Sequence, residues 1–150
     1  MSHNVDVVKA WFELSSSNWP DSSLEAVEKY YSDDFKSYDK QGNVQLVKEN
    51  YIAMDHLMAA AFEDFKTVCT EIRDEGDGVF MRFHFEGKHV GDIDLSSMGL
   101  GVIPASGKNI MWPDASSIFY VKGDQIVSEQ VVDSGLEWFL TPLGVKLPTA

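Results

Sequence analysis

Val79-Phe80-Met81-Arg82-Phe83-His84-Phe85-Glu86 follows the turn Gly76-Asp77-Gly78, and before that turn Val68, Thr70 and Ile72 alternate with Thr67, Cys69 and Glu71. Both stretches repeat at every second residue, the period that puts side chains on alternate faces of a β-strand. With a glycine-bounded turn between them they predict an antiparallel hairpin from Phe65 onward. The residues before it repeat at a different period, so the hairpin marks the change from helix to sheet and decides the fold class.

Upstream, Val5, Val8 and Phe12 stand at helical spacing with Lys9 and Glu13 off the stripe, which predicts a first helix to about Ser16, ended by Ser15-Ser16-Ser17-Asn18. Asp21, Ser22 or Ser23 caps a second helix whose apolar face is Leu24, Val27 and Tyr31. Phe35 to Gly42, closed by Gln41-Gly42-Asn43, reads as a short strand or an extended crossover. Val44, Val47, Tyr51, Met58 and Phe62 share one side of a long third helix, which Ala59-Ala60-Ala61 favours intrinsically. Downstream, Asp92 to Lys108 carries glycines, serines and Pro104 and reads as a short edge strand or a flexible flap. Ile110 to Val121 and Gln125 to Asp133 form a second hairpin around Lys122-Gly123-Asp124. Leu136, Phe139, Leu140 and Leu143 predict a short closing helix that stops at Gly144.

Helices followed by antiparallel strands describe an α+β fold, and 150 residues with 44% apolar content suit one domain over 1–150. A strongly twisted sheet covered by three helices tapers into a cone whose mouth is too wide for side chains to fill, the natural place for a ligand. The 24 acidic and 12 basic residues give a formal charge of −12 with no Lys/Arg cluster, which disfavours nucleic acid and anionic membrane surfaces as partners. No apolar run approaches the roughly 20 residues of a membrane helix. Asp6, Lys9 and Glu13 interrupt any secretory core, so the expectation is a soluble, cytoplasmic protein. Cys69, beside Val68 and Ile72, reads as a small buried hydrophobe. The four histidines show no metal-ligand spacing, and no Walker loop, GxGxxG or GxSxG element occurs, so neither metal nor cofactor is expected.

The order of elements and several strings resemble the SnoaL-like polyketide cyclases of the NTF2-like superfamily. The strings are Tyr30-Tyr31-Ser32-Asp33-Asp34-Phe35, Ala61-Phe62-Glu63-Asp64-Phe65, Gly76-Asp77-Gly78-Val79-Phe80-Met81-Arg82, Gly87-Lys88-His89-Val90-Gly91, Pro104-Ala105-Ser106-Gly107-Lys108, the run Ile118 to Glu129, and Leu143-Gly144. The resemblance implies a cone-shaped α+β barrel, a homodimer joined through the outer sheet face, a hydrophobic pocket for a small or polyketide-like ligand, and no cofactor. It implies an intramolecular aldol reaction, or a related isomerase or lyase step, with an aspartate on the last long strand as general acid/base; Asp133 matches that aspartate. Gln130-Val131 stands where the family often has Glu-Trp, and Tyr120 where arginine is common. A non-catalytic module that binds a small ligand or dimerises is the alternative.

If Lys122 to Gln125 is a two-residue loop, Asp114 lies directly opposite Asp133, and two adjacent carboxylates would raise the pKa of one. A bulge near Pro113 would move the partner to Ala115 or Trp112. Trp112 is either a flat pocket wall or core packing. Tyr51 is either a substrate hydrogen-bond donor or a core tyrosine with a satisfied hydroxyl. His84 points into the pocket or lies in an outer cluster with Arg82 and Glu86. Tyr38 and Asp39 stand where relatives place an orienting polar residue, which makes Asp39 a second candidate base. His89 reads as a solvated histidine near a turn.

Overall fold

The alternation around Gly76-Asp77-Gly78 becomes a long hairpin whose strands, Phe62–Asp74 and Gly78–His89, pair antiparallel from Asp74↔Val79 out to Phe62↔His89. The computed structural model describes residues 2–145, apart from the side chains of Ile52 and Met98. In chain order the helices are α1 His3–Ser17, α2 Asp21–Tyr30, α3 Lys48–Ala61 and α4 Leu136–Leu140. The strands are β1 Tyr31–Tyr38, β2 Val44–Val47, β3 and β4 of the hairpin, β5 Ile93–Asp94, β6 Val102–Ile103, β7 Asn109–Met111, β8 Ala115–Lys122 and β9 Gln125–Val131.

Ser2 caps α1 by accepting from the Val5 N–H at 3.2 Å, and the helix buries Val5, Val7 and Val8 against the sheet. Both α2 and α3 pass into strands without a loop: Tyr31 and Phe62 already have extended backbones while their N–H groups still donate to Val27 and Met58 of the preceding helix. The sheet runs β2-β1-β9-β8-β4-β3, with β7 also on β4 and a small β5–β6 ladder apart from it. It is curved and open, an α+β arrangement with the three N-terminal helices on its concave face.

Four sequence expectations change. Val44 and Val47 belong to β2 and Phe62 to β3, not to the third helix, which runs Lys48–Ala61. Two β-branched residues after the Gly42 turn suit an edge strand, and the Asn50 side chain accepts from the Val47 N–H at 2.8 Å to start the helix there. The expected strand from Ile110 to Val121 is cut into β7 and β8 at Trp112-Pro113-Asp114, where proline cannot donate to a ladder. The sheet is not wholly antiparallel, because β1 and β9 pair in parallel. His89 is buried, stacked on Phe62 at 5.1 Å, rather than solvated.

Two adjoining cores result. The larger lies between α1, α2 and the sheet, around Val8, Val27, Tyr31, Phe35, Met81, Phe119 and Ile126. The second lies between the end of α3 and the β5–β6 flap, around Phe62, Ile93, Ile110, Trp112 and Leu140. Phe85 and Trp138 touch both. The cone is narrower than the sequence suggests, because aromatic rings fill it. Tyr31 stacks on Phe35 at 4.1 Å, Trp11 meets Phe119 at 5.3 Å, and Tyr51 sits edge-on to Tyr31 at 5.2 Å.

Candidate functional site

The last hairpin decides where its acidic side chains go. Near the turn, Lys122 pairs with Gln125 and Val121 with Ile126, as a two-residue loop requires. Val127 then bulges, and from Tyr120↔Ser128 onward the register is displaced by one. Asp133 is carried past Asp114 to the Ala115–Ser116 position, where Oδ1 accepts from the Ser116 N–H at 2.7 Å. The expected Asp114–Asp133 pair therefore does not form; the displacing bulge lies at Val127, not near Pro113.

Asp133 is exposed, two residues beyond Val131 on the inward-facing alternation of β9, and its second oxygen has no protein partner among the described residues. It lines a recess of about 300 Å3 with Lys40, Pro113, Glu137, Trp138 and Pro142. The Lys40 stem lies across Gly135, with Cε 3.8 Å from where a Cβ would stand. Trp138 is the wall between this recess and the interior: its indole N–H donates to the Pro113 carbonyl at 3.0 Å, and its ring meets Phe85 at 5.4 Å. A carboxylate with one oxygen fixed by a backbone amide and the other free, in a recess that Lys40 and an indole also line, can accept a proton from a bound carbonyl compound.

A second polar group sits deeper. Ser37 donates to Glu129 Oε1 at 2.9 Å, Tyr51 donates to the same oxygen at 3.2 Å, and Gln45 donates to Ser37 at 3.0 Å. Burial pushes the Tyr51 and Tyr31 phenols well above their usual range, and the Glu129 charge raises both further, so each remains a donor. The rings around Glu129 leave it braced to α3 and β1. Trp11 Nε1 and Ser117 Oγ are buried without a partner among the described residues.

A sequence profile described as SnoaL-like polyketide cyclase matches residues 6–137. The chain belongs to the SnoaL-like polyketide cyclase family. Among solved structures this SnoaL-like protein is similar to TsrD from Streptomyces laurentii, at 19% identity over 96% of this chain and 98% of that one, with a TM-score of 0.70. It is similar to AclR, a candidate hydroxylase from Streptomyces galilaeus, at 20% identity over 98% and 85% of the two chains, with a TM-score of 0.69. It is also similar to IdmH, a candidate polyketide cyclase from Streptomyces antibioticus, at 20% identity over 96% and 100%, with a TM-score of 0.67. At these identities the likeness is one of fold. No curated protein matches the chain.

The remaining sequence candidates of this SnoaL-like chain do not join Asp133. Asp114 is 53% exposed and lies 3.2 Å from His84 Nδ1, while His84 Nε2 faces Glu86 at 3.1 Å, all on the outer side of the sheet. Hydrogen bonds from Lys66 and His84 hold the Glu86 carboxyl below its usual range. Trp112 is 1% exposed and donates to the Phe139 carbonyl at 2.9 Å, so it is packing, not a pocket wall. Tyr38 pairs with Gln130 and Val44 in the ladder. Asp39 accepts from the Gln41 and Asn43 N–H groups at 3.0 and 2.9 Å, which shapes the β1–β2 turn. Lys40, Glu137, Trp138 and Glu129 escaped the sequence reading. Glu129 was within reach, two steps along the same strand alternation as Val131 and Asp133. Lys40 and Trp138 meet Asp133 only through the parallel β1–β9 pairing and the fold-back of α4. Among the described residues, no group of three or more His, Cys, Asp or Glu is arranged to hold a metal ion, and no helix is long and apolar enough to cross a membrane.

Proposed function

We propose that this SnoaL-like protein is a cofactor-free acid/base catalyst that acts on a small hydrophobic carbonyl compound, by intramolecular aldol closure or a related isomerase or lyase step. Asp133 is the group that takes and returns the proton, and Lys40 stabilises the enolate. The observation that carries this reading is the recess of about 300 Å3 at Asp133, which supplies open volume, a free carboxylate oxygen, a cation and an indole wall together. Asp114, on the other face of the sheet, takes no part. The Ser116 amide bond holds one oxygen of Asp133 in place and leaves the other for the substrate. The working protein is a cytoplasmic homodimer paired through the outer sheet face; sedimentation that returns a monomer removes the pairing.

A panel of enolisable and polyketide-like carbonyl compounds tests the reaction. Asp133→Asn is expected to lower kcat by about 100-fold or more while thermal stability stays near that of the parent. Equal turnover by variant and parent removes Asp133. The second reading, a non-catalytic ligand-binding module, is favoured by the exposure of Asp133 and by the rings that fill the cone. It is the outcome if apolar ligands bind saturably and no member of the panel is turned over.

A further inference from the structure

Another recess, of about 430 Å3, opens beneath the α1–α2 turn, far along the chain from Asp133. Its walls include Ser17, Asn18, Trp19, Phe62, Asp64 and Phe65. The Trp19 and Phe65 rings stand 4.9 Å apart and Phe62 lies 5.7 Å from Phe65; Phe62 is buried, and Trp19 and Phe65 are half-buried at the recess. Trp19 is held from behind: Asp55 on α3 takes hydrogen bonds from Trp19 and Ser23, the latter at 2.6 Å.

The acidic side of the recess comes from a deliberate break in β3. Pairing with β4 shifts between Glu63 and Lys66, and Asp64 takes φ = 55°, a left-handed conformation uncommon for a residue with a Cβ. A bulge of this kind re-aims side chains. Here it leaves the consecutive residues Asp64 and Phe65 both on the recess, where a regular strand would turn them to opposite faces. The C-terminal end of α1 forms another wall and has no basic residue in its last turn, so the negative end of the helix dipole is uncompensated there. Among the described residues, no Lys, Arg or His lines the recess.

Two half-buried rings, one carboxylate and a negative helix end, with no cationic side chain among the described lining residues, are complementary to a positive charge carried on an apolar body. A bare divalent ion would want several oxygen ligands, and one carboxylate supplies too few. We propose that this recess binds small quaternary ammonium compounds, with Trp19 and Phe65 as ring faces and Asp64 as the counter-charge. The site is independent of the acid/base reading of Asp133.

Choline chloride, titrated into the full chain against sodium chloride of matched ionic strength, tests it by calorimetry and tryptophan fluorescence. The expected result is saturable binding that weakens about fivefold in Asp64→Asn, the loss of one screened charge contact. Asparagine tolerates the left-handed backbone, so the variant keeps the local structure. Phe65→Leu is expected to weaken choline binding with an unchanged circular dichroism spectrum. Asp133→Asn is expected to bind choline like the parent, which separates this site from the proposed catalytic one. The uncharged carbon isostere of choline is expected to bind more weakly than choline. The proposal is overturned by no saturable signal up to about 50 mM choline, by equal binding of the isostere, or by a folded Asp64→Asn that binds as tightly as the parent.

Discussion

Asp55 keeps its proton to higher pH than an exposed aspartate does, because burial against α2 disfavours the charged form more than the hydrogen bonds from Ser23 and Trp19 favour it. The folded state therefore binds this proton more tightly than the unfolded chain. Stability falls as pH rises from the unfolded pKa to the raised folded one, and the loss is complete above the folded value. Asp55→Asn removes the titration and keeps an acceptor for Ser23. The melting temperature of the variant, relative to the parent, is expected to rise with pH above about 4, the ordinary aspartate value, and then level off. A difference that is constant with pH, or that shrinks as pH rises, would show that Asp55 is not a buried proton holder. Glu129 is a contrasting residue: it is tied by two hydroxyls in one place, and its charge adds to the burial that raises the Tyr31 and Tyr51 phenols.

At the scale of elements, α4 is five residues long and lies between the Asp133 recess and the aromatic interior. So short a helix has little stability of its own and is held by packing and by the Trp138–Pro113 hydrogen bond. Trp138→Ala is expected to remove one wall of the recess and raise KM for a ring-bearing substrate by about tenfold, with a smaller change in kcat, because the Asp133–Ser116 contact does not depend on the indole. Steady-state kinetics on any compound the parent turns over checks this; a kcat loss with KM unchanged would mean that Trp138 acts on the transition state.

The same scale shows what could be read in advance. Alternation on both sides of Gly76-Asp77-Gly78, and the apolar stripes of α1 and α2, are local signals, and those elements lie where the sequence puts them, but α2 has Pro20 at its N-cap, with no side-chain cap from Asp21, Ser22 or Ser23. Val44 and Val47 stand three apart, a spacing open to helix, and their sheet partners lie on β1. The Val127 bulge was hidden for the same reason. It reconciles an inward Ile126 with an inward Glu129, a compromise set by residues on α3 and β1 rather than by neighbours in the chain. The candidate site was legible at Asp133 and illegible in its company, since Lys40 and Trp138 reach it only after the chain has folded back.

Over the whole molecule, a formal charge of −12 means that folding gathers like charges on a small surface. Salt screens that repulsion over roughly 10 Å at 0.1 M. The melting temperature is therefore expected to rise by a few degrees between about 20 and 200 mM sodium chloride. Scanning fluorimetry at pH 7 checks it, and a flat or falling response would mean that pairs such as Lys66–Glu86 and Lys48–Asp33 outweigh the net field.

The parallel contact between β1 and β9 joins Tyr31 to Ile126. On a ribosome making the chain from its amino end, the first strand leaves the exit tunnel almost a hundred residues before its inner neighbour exists. Until then only β2 can cover one flank, and the stacked Tyr31 and Phe35 rings have no finished surface to close against. Completion of the sheet is thus deferred until Gln125–Val131 has been made. A nascent chain stalled before Gln125 is the form of this protein most in need of a chaperone.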